Sequence, residues 1–435
     1  MNLAQKQKIA KVTMDESPIT KFHVKIAALT FGAHFTDGYV IGIISFALLS
    51  LAAQWNLSAF DLGLLGSSVL IGLFFGSFLL GWASDYIGRQ KIFLFSFILI
   101  TLASFLQFFS PNIWTLFFLR FAIGFGLGGD YTVGQAMLAE FSPKRHRGTL
   151  LGTFNVFFTI GYVVSSIIGM MLLDADISWR WMLASSGVPA LLVLILRIGT
   201  PESPKYLVSK GQVEKAQAIV KKHLGGQVVL TPEKETQQLS LGHLFSKKYL
   251  KLTLFNGIFY ACIVLPYFSV FTFLPTILDY FNMKEGHSAD ILLNMFLLIG
   301  AFVGMYLTIK LSRRGFLISS FIICFASLAL LGIIPQSMSF LLIAAFVVFT
   351  LFISAINNLV GIYPAESFPT ELRASGVGVA TACSRIGSAL GTFLLPTLIA
   401  KLGLSPTMLI LAAVLLLGTV VSIAWAPETK GKHLA

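Results

Sequence analysis

Charged side chains are scarce in this sequence, and their scarcity limits what kind of protein it can be. Asp, Glu, Lys and Arg together make up 11% of the 435 residues, whereas hydrophobic residues make up 56%. Soluble globular domains carry about 25% charged residues. The 19 acidic and 31 basic side chains cannot cover the surface of a soluble chain of this length. The composition therefore excludes a soluble enzyme, a disordered protein and a nucleic-acid-binding protein.

Cysteine is also rare, and Cys262, Cys324 and Cys383 all lie inside apolar runs. An odd number of cysteines at such positions argues against a disulfide framework and against a zinc site. The sequence has no motif for a nucleotide, a metal or a catalytic nucleophile, so we expect no cofactor and no enzymatic activity. Residues 1–25 are polar and contain five lysines, which does not fit a cleavable signal peptide.

Long apolar segments, in contrast, are abundant. A helix needs about 20 apolar residues to cross a bilayer, and twelve segments qualify, numbered helix 1 to helix 12 in chain order. They cover residues 26–53, 61–83, 92–109, 114–139, 149–173, 180–200, 250–280, 288–311, 316–334, 338–363, 375–400 and 404–426. The alternating segments of a lipid-facing barrel are missing. The sequence therefore predicts an all-α membrane protein with twelve transmembrane helices.

The distribution of basic residues predicts the orientation in the membrane. When the chain is followed through the twelve helices, 26 of the 31 Lys and Arg residues fall on the side that carries both termini. The opposite side has only Arg180, Lys284 and Lys401, and Arg120 and Arg385 lie inside helices. Because cytoplasmic loops carry the excess of Lys and Arg, we expect both termini to be cytoplasmic.

The chain repeats itself about one long polar linker, residues 201–249. The linker separates a first half, residues 26–200, from a second half, residues 250–426; residues 1–25 and 427–435 flank them. Two motifs recur with the same offset of 226 residues: the acid, proline and arginine after helices 4 and 10, and the Pro-Glu after helices 6 and 12. The residues concerned are Glu140, Pro143, Arg147, Pro201 and Glu202 in the first half, and Glu366, Pro369, Arg373, Pro427 and Glu428 in the second. Two parallel six-helix repeats are typical of secondary transporters.

The loop after helix 2 contains Gly81, Asp85, Gly88, Arg89 and Lys91. These residues and their spacing resemble the G-x-x-x-D-x-x-G-R-x-K/R motif of the major facilitator superfamily. The resemblance implies the fold of that superfamily, with two pseudo-symmetric six-helix bundles. It also implies a cytoplasmic gate, in which these charges and the repeated acids and bases pair between helices. The predicted gating residues are Asp85, Arg89, Glu140, Arg147, Glu366 and Arg373.

The motifs after helices 4, 6 and 12 narrow the resemblance to the sugar-porter branch and its relatives that carry phosphate, nicotinate and organic ions. The likeness covers residues 26–430. The sequence departs from sugar porters in helix 7, which lacks the Gln-Gln-x-Ser-Gly stretch, and in helix 10, which lacks Gly-Pro-x-x-Trp. It departs from drug/proton antiporters in helix 5, which has no Gly-Pro. A neutral sugar and drug efflux are therefore less favoured than the loops alone suggest.

Ionisable residues inside the helices are the candidate proton-coupling residues, since burying such a residue costs about 2.5–3.5 kcal/mol on insertion scales. Asp37 in helix 1 and Arg120 in helix 4 lie at similar predicted depths, so we expect them to pair, either for coupling or as a static pair. Asp130 lies in a Gly-Gly-Asp-Tyr stretch that resembles phosphate/proton symporters, so it is a second candidate for proton coupling. It could instead serve only in the packing of helices. His34, one turn before Asp37, could share its proton or be structural.

Arg385 in helix 11 has no evident acidic partner in the second half, so it suits the carboxylate or phosphate of a substrate; it could also bond backbone carbonyls. Neutral polar residues complete the predicted substrate site, although each could instead form an interhelical hydrogen bond. They are Gln135, Asn155, Tyr162, Asn256, Tyr260, Asn294, Asn357 and Asn358. The glycines of helix 4 indicate close helix packing and not a nucleotide loop.

These features predict a secondary transporter of the bacterial inner membrane that takes up a small polar metabolite, an organic anion, by proton symport and alternating access. Its partners would be the substrate, protons and the lipid bilayer, with no nucleic acid, and it would act as a monomer. Three alternatives stay open. They are a neutral sugar/proton symporter or facilitator, proton-driven efflux, and a nutrient sensor that binds without transport.

Overall fold

A computed structural model describes residues 12–143, 145, 150, 153–225, 227–230, 241–281, 288–369 and 372–430. Within these residues, twelve helices are long and apolar enough to cross a membrane, which confirms the predicted count. Helices 1 to 6 are Lys21–Trp55, Ala59–Ile87, Arg89–Phe109, Ile113–Phe141, Phe154–Asp174 and Trp179–Arg197. Helices 7 to 12 are Leu250–Thr272, Ser288–Lys310, Arg313–Ile333, Ser339–Ser367, Arg373–Leu402 and Leu404–Trp425.

Several helices are interrupted or extended by short elements. Helix 3 ends in a 3₁₀ turn, Gln107–Phe109, and helix 7 continues after Phe273 as Leu274–Tyr280. Helix 6 is interrupted at Ser186, and helix 10 at Asn357 and Asn358. The remaining elements are Val12–Thr13, Met14–Glu16, Pro204–Ser209, Val213–Leu224, Val228–Val229 and Leu241–Phe245.

The N-terminal segment and the linker meet at one end of the molecule. Val12–Thr13 pairs in parallel with Val228–Val229, a two-residue pairing outside the membrane helices that the sequence did not indicate. We call this the linker end, and the opposite end, where helix 1 passes into helix 2, the far end. At the far end Ser58 begins helix 2 with a capping box: its Oγ accepts from the Asp61 N–H (3.2 Å), and Asp61 Oδ2 accepts from the Ser58 N–H (3.0 Å).

Helix packing within the two halves follows the sequence repeat. In the first half the main contacts are between helices 2 and 4, 1 and 5, 3 and 4, and 3 and 6; in the second they are between helices 8 and 10, 7 and 11, 9 and 10, and 9 and 12. Each second-half pair is the first-half pair advanced by six helices. Glycines bring helices 2 and 4 into backbone contact, since a Cβ at Gly124 or Gly128 would collide with the carbonyl oxygen of Val69 or Leu73. The glycines of helix 4 are therefore packing residues, as predicted.

The two halves meet through helix 2 against helix 11 and helix 5 against helix 8. Near the far end, Gly63 abuts the Phe393 carbonyl, and the rings of Phe60 and Phe393 pack edge to face. The Tyr162 hydroxyl donates to the Phe271 carbonyl across the same interface (2.7 Å). These contacts close the molecule at the far end.

The outer surface exposes large apolar side chains along the helices, and Trp and Tyr toward both ends. Phe78 and Phe118 are exposed on helices 2 and 4. Trp82 and Tyr86 are exposed toward the linker end, and Trp114 and Trp181 toward the far end. Trp and Tyr are enriched where a membrane protein passes from lipid to water, so this arrangement fits a chain that spans the bilayer.

Candidate functional site

A cavity of about 190 Å³ lies between the two halves. Its walls come from helices 1, 4 and 5 of the first half and from helices 7, 10 and 11 of the second. The described residues that line it are His34, Tyr131, Gln135, Phe154, Asn155, Phe158, Tyr260, Val264, Phe268, Asn357, Asn358, Val360, Gly361, Ile362 and Arg385. Seven of the predicted site residues are among them, so the structure brings these seven together.

Arg385 is the cation of this cavity and is 8% exposed. Its guanidinium lies over the Tyr131 ring, 4.7 Å from the ring centroid, a cation–π contact. Its Nε is buried and has no hydrogen-bond partner in the described part of the chain. No Asp or Glu is among the described lining residues. The arrangement leaves guanidinium donors available for an anion that enters the cavity.

Tyr131 connects Arg385 to the buried carboxyl group of Asp37. The Tyr131 hydroxyl donates to Asp37 Oδ2. Asp37 is 1% exposed, and its other oxygen, Oδ1, is buried without a described hydrogen-bond partner. Tyr131 therefore contacts both the cation of helix 11 and the acid of helix 1. The sequence analysis quoted this tyrosine in a motif but did not select it as a site residue.

The predicted pair of Asp37 and Arg120 is wrong. Arg120 Nη1 instead donates to Gln107 Oε1 (3.4 Å), at the end of helix 3. The error lies in the depth. Asp37 lies 18 residues before the end of helix 1 at Trp55, and Tyr131 lies 18 residues after the start of helix 4 at Ile113, whereas Arg120 lies only 7 after it. Asp37 is therefore level with Tyr131 and about three helical turns from Arg120.

Asp130 lies outside the cavity and pairs with Arg197 at the end of helix 6, with 2.5 Å between Oδ1 and Nη1. Both side chains are buried. The Arg197 guanidinium also donates to the Phe93 carbonyl (2.7 Å) and lies over the rings of Phe93 (3.5 Å) and Phe97 (3.9 Å). Asp130 thus joins helices 3, 4 and 6, which favours the packing role that the sequence left open. The sequence analysis had counted Arg197 among the 26 basic residues on the side of the termini.

His34 lines the cavity beside Tyr131. Its Nδ1–H donates to the Thr30 carbonyl (2.9 Å), which leaves Nε2 as an acceptor 3.5 Å from the Gln135 amide nitrogen. Its ring stacks on Phe154, with centroids 4.1 Å apart and planes within 13°. His34 and Gln135 therefore form one side of the cavity, and the hydrogen bond to Thr30 fixes the histidine ring.

Two amides lie at the break of helix 10, and one of them joins the two halves. Asn357 Nδ2 donates to Asn155 Oδ1 of helix 5 (2.9 Å). Asn358 Nδ2 donates to the carbonyls of Ala301 (3.1 Å) and Ala355 (3.2 Å). The Asn358 amide thus donates to one backbone carbonyl of helix 8 and to one at the break of helix 10. Discontinuous helices at the binding site are common in transporters.

Three predicted substrate residues lie away from the cavity lining. Tyr162 bonds Phe271 near the far end, and the Asn256 amide donates to the Leu252 carbonyl (2.9 Å) within helix 7. Asn294 donates to Asp290 Oδ1 (2.9 Å) in helix 8. Asp290 is itself only 3% exposed, so the second half buries an acid that the sequence analysis did not select. Asp290 was missed because it lies at the first turn of helix 8, next to the polar loop.

Two clusters of charges occupy equivalent places at the linker end. In the first cluster Arg89 pairs with Glu140, which also accepts from the Ser203 hydroxyl. Glu202 Oε1 accepts from the Gln90 N–H at the start of helix 3 (3.0 Å). Each cluster member lies within one half, so the cluster joins helices 3 and 4 to the chain after helix 6.

The second cluster repeats this arrangement. Arg313 binds Glu366 bidentately, with both N–O distances 3.0 Å, and the Thr429 hydroxyl donates to Glu366 Oε2 (2.7 Å). Burial on its own would raise the pKa of Glu428, but N–H donors, including those of Lys430 and Arg313, outweigh it and hold the pKa below its usual range. Glu366 thus pairs with Arg313 in helix 9, a residue that the sequence analysis did not select for the gate. Asp85 is exposed, and Arg147 lies outside the described residues.

Comparison with known proteins agrees with this geometry. Residues 25–435 match a family model described as "Sugar (and other) transporter". The chain is 51% identical over 425 residues to the "Inner membrane metabolite transport protein YgcS" of Escherichia coli, covering 97% of this chain and 95% of the relative. The chain belongs to the sugar-transporter family of the major facilitator superfamily.

A second relative and a solved structure also resemble this chain. The "Niacin transporter NiaP" of Acinetobacter baylyi is 26% identical, with 97% of this chain and 98% of the relative covered. A solved structure of the xylose transporter XylE from E. coli, partially occluded and inward open, superposes with a TM-score of 0.79 over 95% of this chain and all of that chain, at 19% identity. This superposition shows that the chain has the same fold as XylE.

Membership in the sugar-transporter family confirms the predicted superfamily and fold. The chain is a multi-pass membrane protein that transports a metabolite, and members of this superfamily are not enzymes. The cavity between the halves lies where a transporter of this architecture binds its substrate.

Proposed function

We propose that this chain takes up a small organic anion together with a proton, by alternating access to the cavity between its halves. The protein would act as a monomer in the bacterial inner membrane, with the linker end in the cytoplasm. The single observation that carries the proposal is Arg385, a cavity cation that has no described carboxylate partner. The excess of Lys and Arg at the linker end supports the orientation.

In this proposal Arg385 binds the anion and Asp37 carries the proton. Tyr131 contacts both groups. Binding of the anion to Arg385 would therefore affect the protonation of Asp37 through Tyr131. An anion on Arg385 places a second negative charge near Asp37, and two nearby negative charges favour protonation of one of them. Binding of the anion and of the proton would therefore support each other, as coupling requires. His34 and Gln135 would shape the cavity beside this pair.

The charge clusters at the linker end are proposed to set the balance between inward-open and outward-open states. Arg89 with Glu140 and Arg313 with Glu366 fix the ends of helices 3, 4, 9 and 10 within each half. Asp85, Arg147 and Arg373 would complete the gate when the halves close at this end. Both pairs are largely buried, so removing one partner would leave the other charge buried and unpaired, and the network as a whole would bias the equilibrium.

A neutral sugar is the second candidate, because the cavity also contains amide side chains. Asn155, Asn357 and Gln135 could donate to and accept from sugar hydroxyls. The family description, which names sugar and other transporters, supports this alternative.

The test is the binding of carboxylic acids and their primary amides to the purified protein. Propionate is compared with propionamide, and nicotinate with nicotinamide, by isothermal titration. Each amide is close to the shape of its acid but has no charge for Arg385 to bind, so we expect it to bind at least about tenfold more weakly. Equal affinity for acid and amide would contradict the anion proposal and make the sugar the first candidate.

A further inference from the structure

Aromatic rings dominate the cavity that contains Arg385. Six of its lining residues carry rings, contributed by helices 1, 4, 5 and 7: His34, Tyr131, Phe154, Phe158, Tyr260 and Phe268. We propose that the substrate is a planar aromatic or heteroaromatic monocarboxylate, with its carboxylate on Arg385 and its ring among these side chains. This inference rests on the proposed function and specifies the class of anion.

The rings offer surfaces that suit a flat guest. His34 and Phe154 form a nearly parallel stack, 4.1 Å between centroids, and Tyr131 is tilted against His34 at 4.9 Å. Phe158 and Phe268, one from each half, meet edge to face with centroids 6.3 Å apart. Aromatic rings prefer offset-stacked and edge-to-face partners. A bound aromatic ring could make such contacts with both halves at once.

Three of the four cavity amides, those of Asn155, Asn357 and Asn358, already form hydrogen bonds within the protein, which limits the capacity for a polyhydroxylated ligand. The Asn358 amide donates to backbone carbonyls, and the Asn357 amide donates to Asn155. The Asn155 Nδ2 group is buried and has no described partner. A sugar would bury several hydroxyls, and each unpaired buried hydroxyl costs binding energy. A heteroaromatic acid needs few polar partners beyond its carboxylate, for which one free amide suffices.

The cavity also limits the number of negative charges. Arg385 is the sole Lys or Arg among the described lining residues. The other two arginines buried in the helices are engaged elsewhere, Arg120 with Gln107 and Arg197 with Asp130. A second carboxylate would be buried without a cation and close to Asp37, which is costly. The site therefore suits a monocarboxylate.

The experiment compares four probes by isothermal titration on the purified full-length protein. Benzoate is the aromatic monocarboxylate, cyclohexanecarboxylate has the same charge on a puckered ring, phthalate adds a second carboxylate, and benzamide removes the charge. We expect benzoate to bind about tenfold more tightly than cyclohexanecarboxylate through its ring contacts. We expect phthalate and benzamide to bind at least about tenfold more weakly than benzoate.

Variants identify the rings that provide this preference. Phe158→Leu and Phe268→Leu should each reduce the ratio of benzoate to cyclohexanecarboxylate affinity to about threefold or less. Phe118→Leu is the matched control, because Phe118 is 63% exposed on the outer surface, and it should leave the ratio unchanged. If either cavity variant fails to fold, the other variant and the wild-type probes still give the answer.

The outcomes separate this inference from the proposed function. If benzoate and cyclohexanecarboxylate bind equally and both bind more tightly than benzamide, the anion site stands and the aromatic inference is wrong. If benzamide binds as tightly as benzoate, the anion proposal itself is contradicted. If none of the three acids binds but propionate binds more tightly than propionamide, the anion site stands and the aromatic inference is wrong. If propionate fails to bind as well, both are overturned. An unchanged ratio in both cavity variants would also contradict the assignment of the ring to this cavity.

Discussion

Replacing Asp37 by Asn is expected to abolish uphill uptake driven by a pH gradient in proteoliposomes. A one-to-one proton and anion symporter can accumulate its substrate about tenfold per pH unit, since one unit corresponds to about 1.36 kcal/mol. Asn keeps the size of the side chain and an oxygen that can accept from the Tyr131 hydroxyl, but it cannot carry a proton. The variant should therefore still exchange substrate across the membrane while its accumulation ratio falls to about one.

The matched control for this substitution is Asp176→Asn. Asp176 is exposed between helices 5 and 6 and has a φ of 52°, a conformation that Asn also adopts readily. Protein-free liposomes measure the passive entry of the protonated acid. Full accumulation by Asp37→Asn would contradict the role of Asp37. If only Asp130→Asn lost accumulation, and its stability were normal, the proton carrier would be Asp130 and not Asp37.

Replacing Arg385 by Ala should weaken the binding of the substrate anion by about 10- to 150-fold. A charged hydrogen bond contributes about 1.5–3 kcal/mol, and each 1.4 kcal/mol is about a factor of ten in affinity. Arg385→Lys keeps the charge but loses the planar fork, so its affinity should lie between those of Arg385→Ala and the wild type. The measurement is isothermal titration with the acid that binds best to the wild type.

Arg180 provides the matched control, since it too lies over an aromatic ring, 4.4 Å from the centroid of Trp179, but at the far end. Arg180→Ala should leave the affinity for the acid unchanged. Arg385 could instead be a structural residue. In that case its two variants would lose thermal stability in detergent while the surviving folded protein bound the acid normally, which would contradict the proposed anion site.

The sequence was sufficient to predict the fold, because the physical constraints on it are strong. A bilayer requires about 20 apolar residues in each helix, so the twelve helices stand out. The common offset of Glu140 and Glu366, and of Glu202 and Glu428, indicated the duplication that the two charge clusters display. Helix ends were less predictable: helix 1 begins at Lys21, five residues before its predicted start.

Helix length and charges near helix ends explain what failed at the site. The depths of Asp37 and Arg120 were counted from opposite faces of a core about 30 Å thick, but helices 1 and 4 are 35 and 29 residues long, which places Asp37 level with Tyr131. Arg197 and Asp290 were missed because they lie near helix ends, where sequence pattern cannot distinguish a buried charge from a loop charge. Arg385 was found because an arginine in the middle of an apolar helix requires a reason.

The central claim is that the anion and the proton bind together, and the most direct test is to count the protons taken up when the anion binds. Isothermal titration of the purified protein is repeated near neutral pH in buffers that differ in their enthalpy of ionisation. The account predicts uptake of about one proton per anion by the wild type, since an anion on Arg385 favours protonation of Asp37, and none by Asp37→Asn. Anion binding without proton uptake by the wild type, or equal uptake by both proteins, would contradict it.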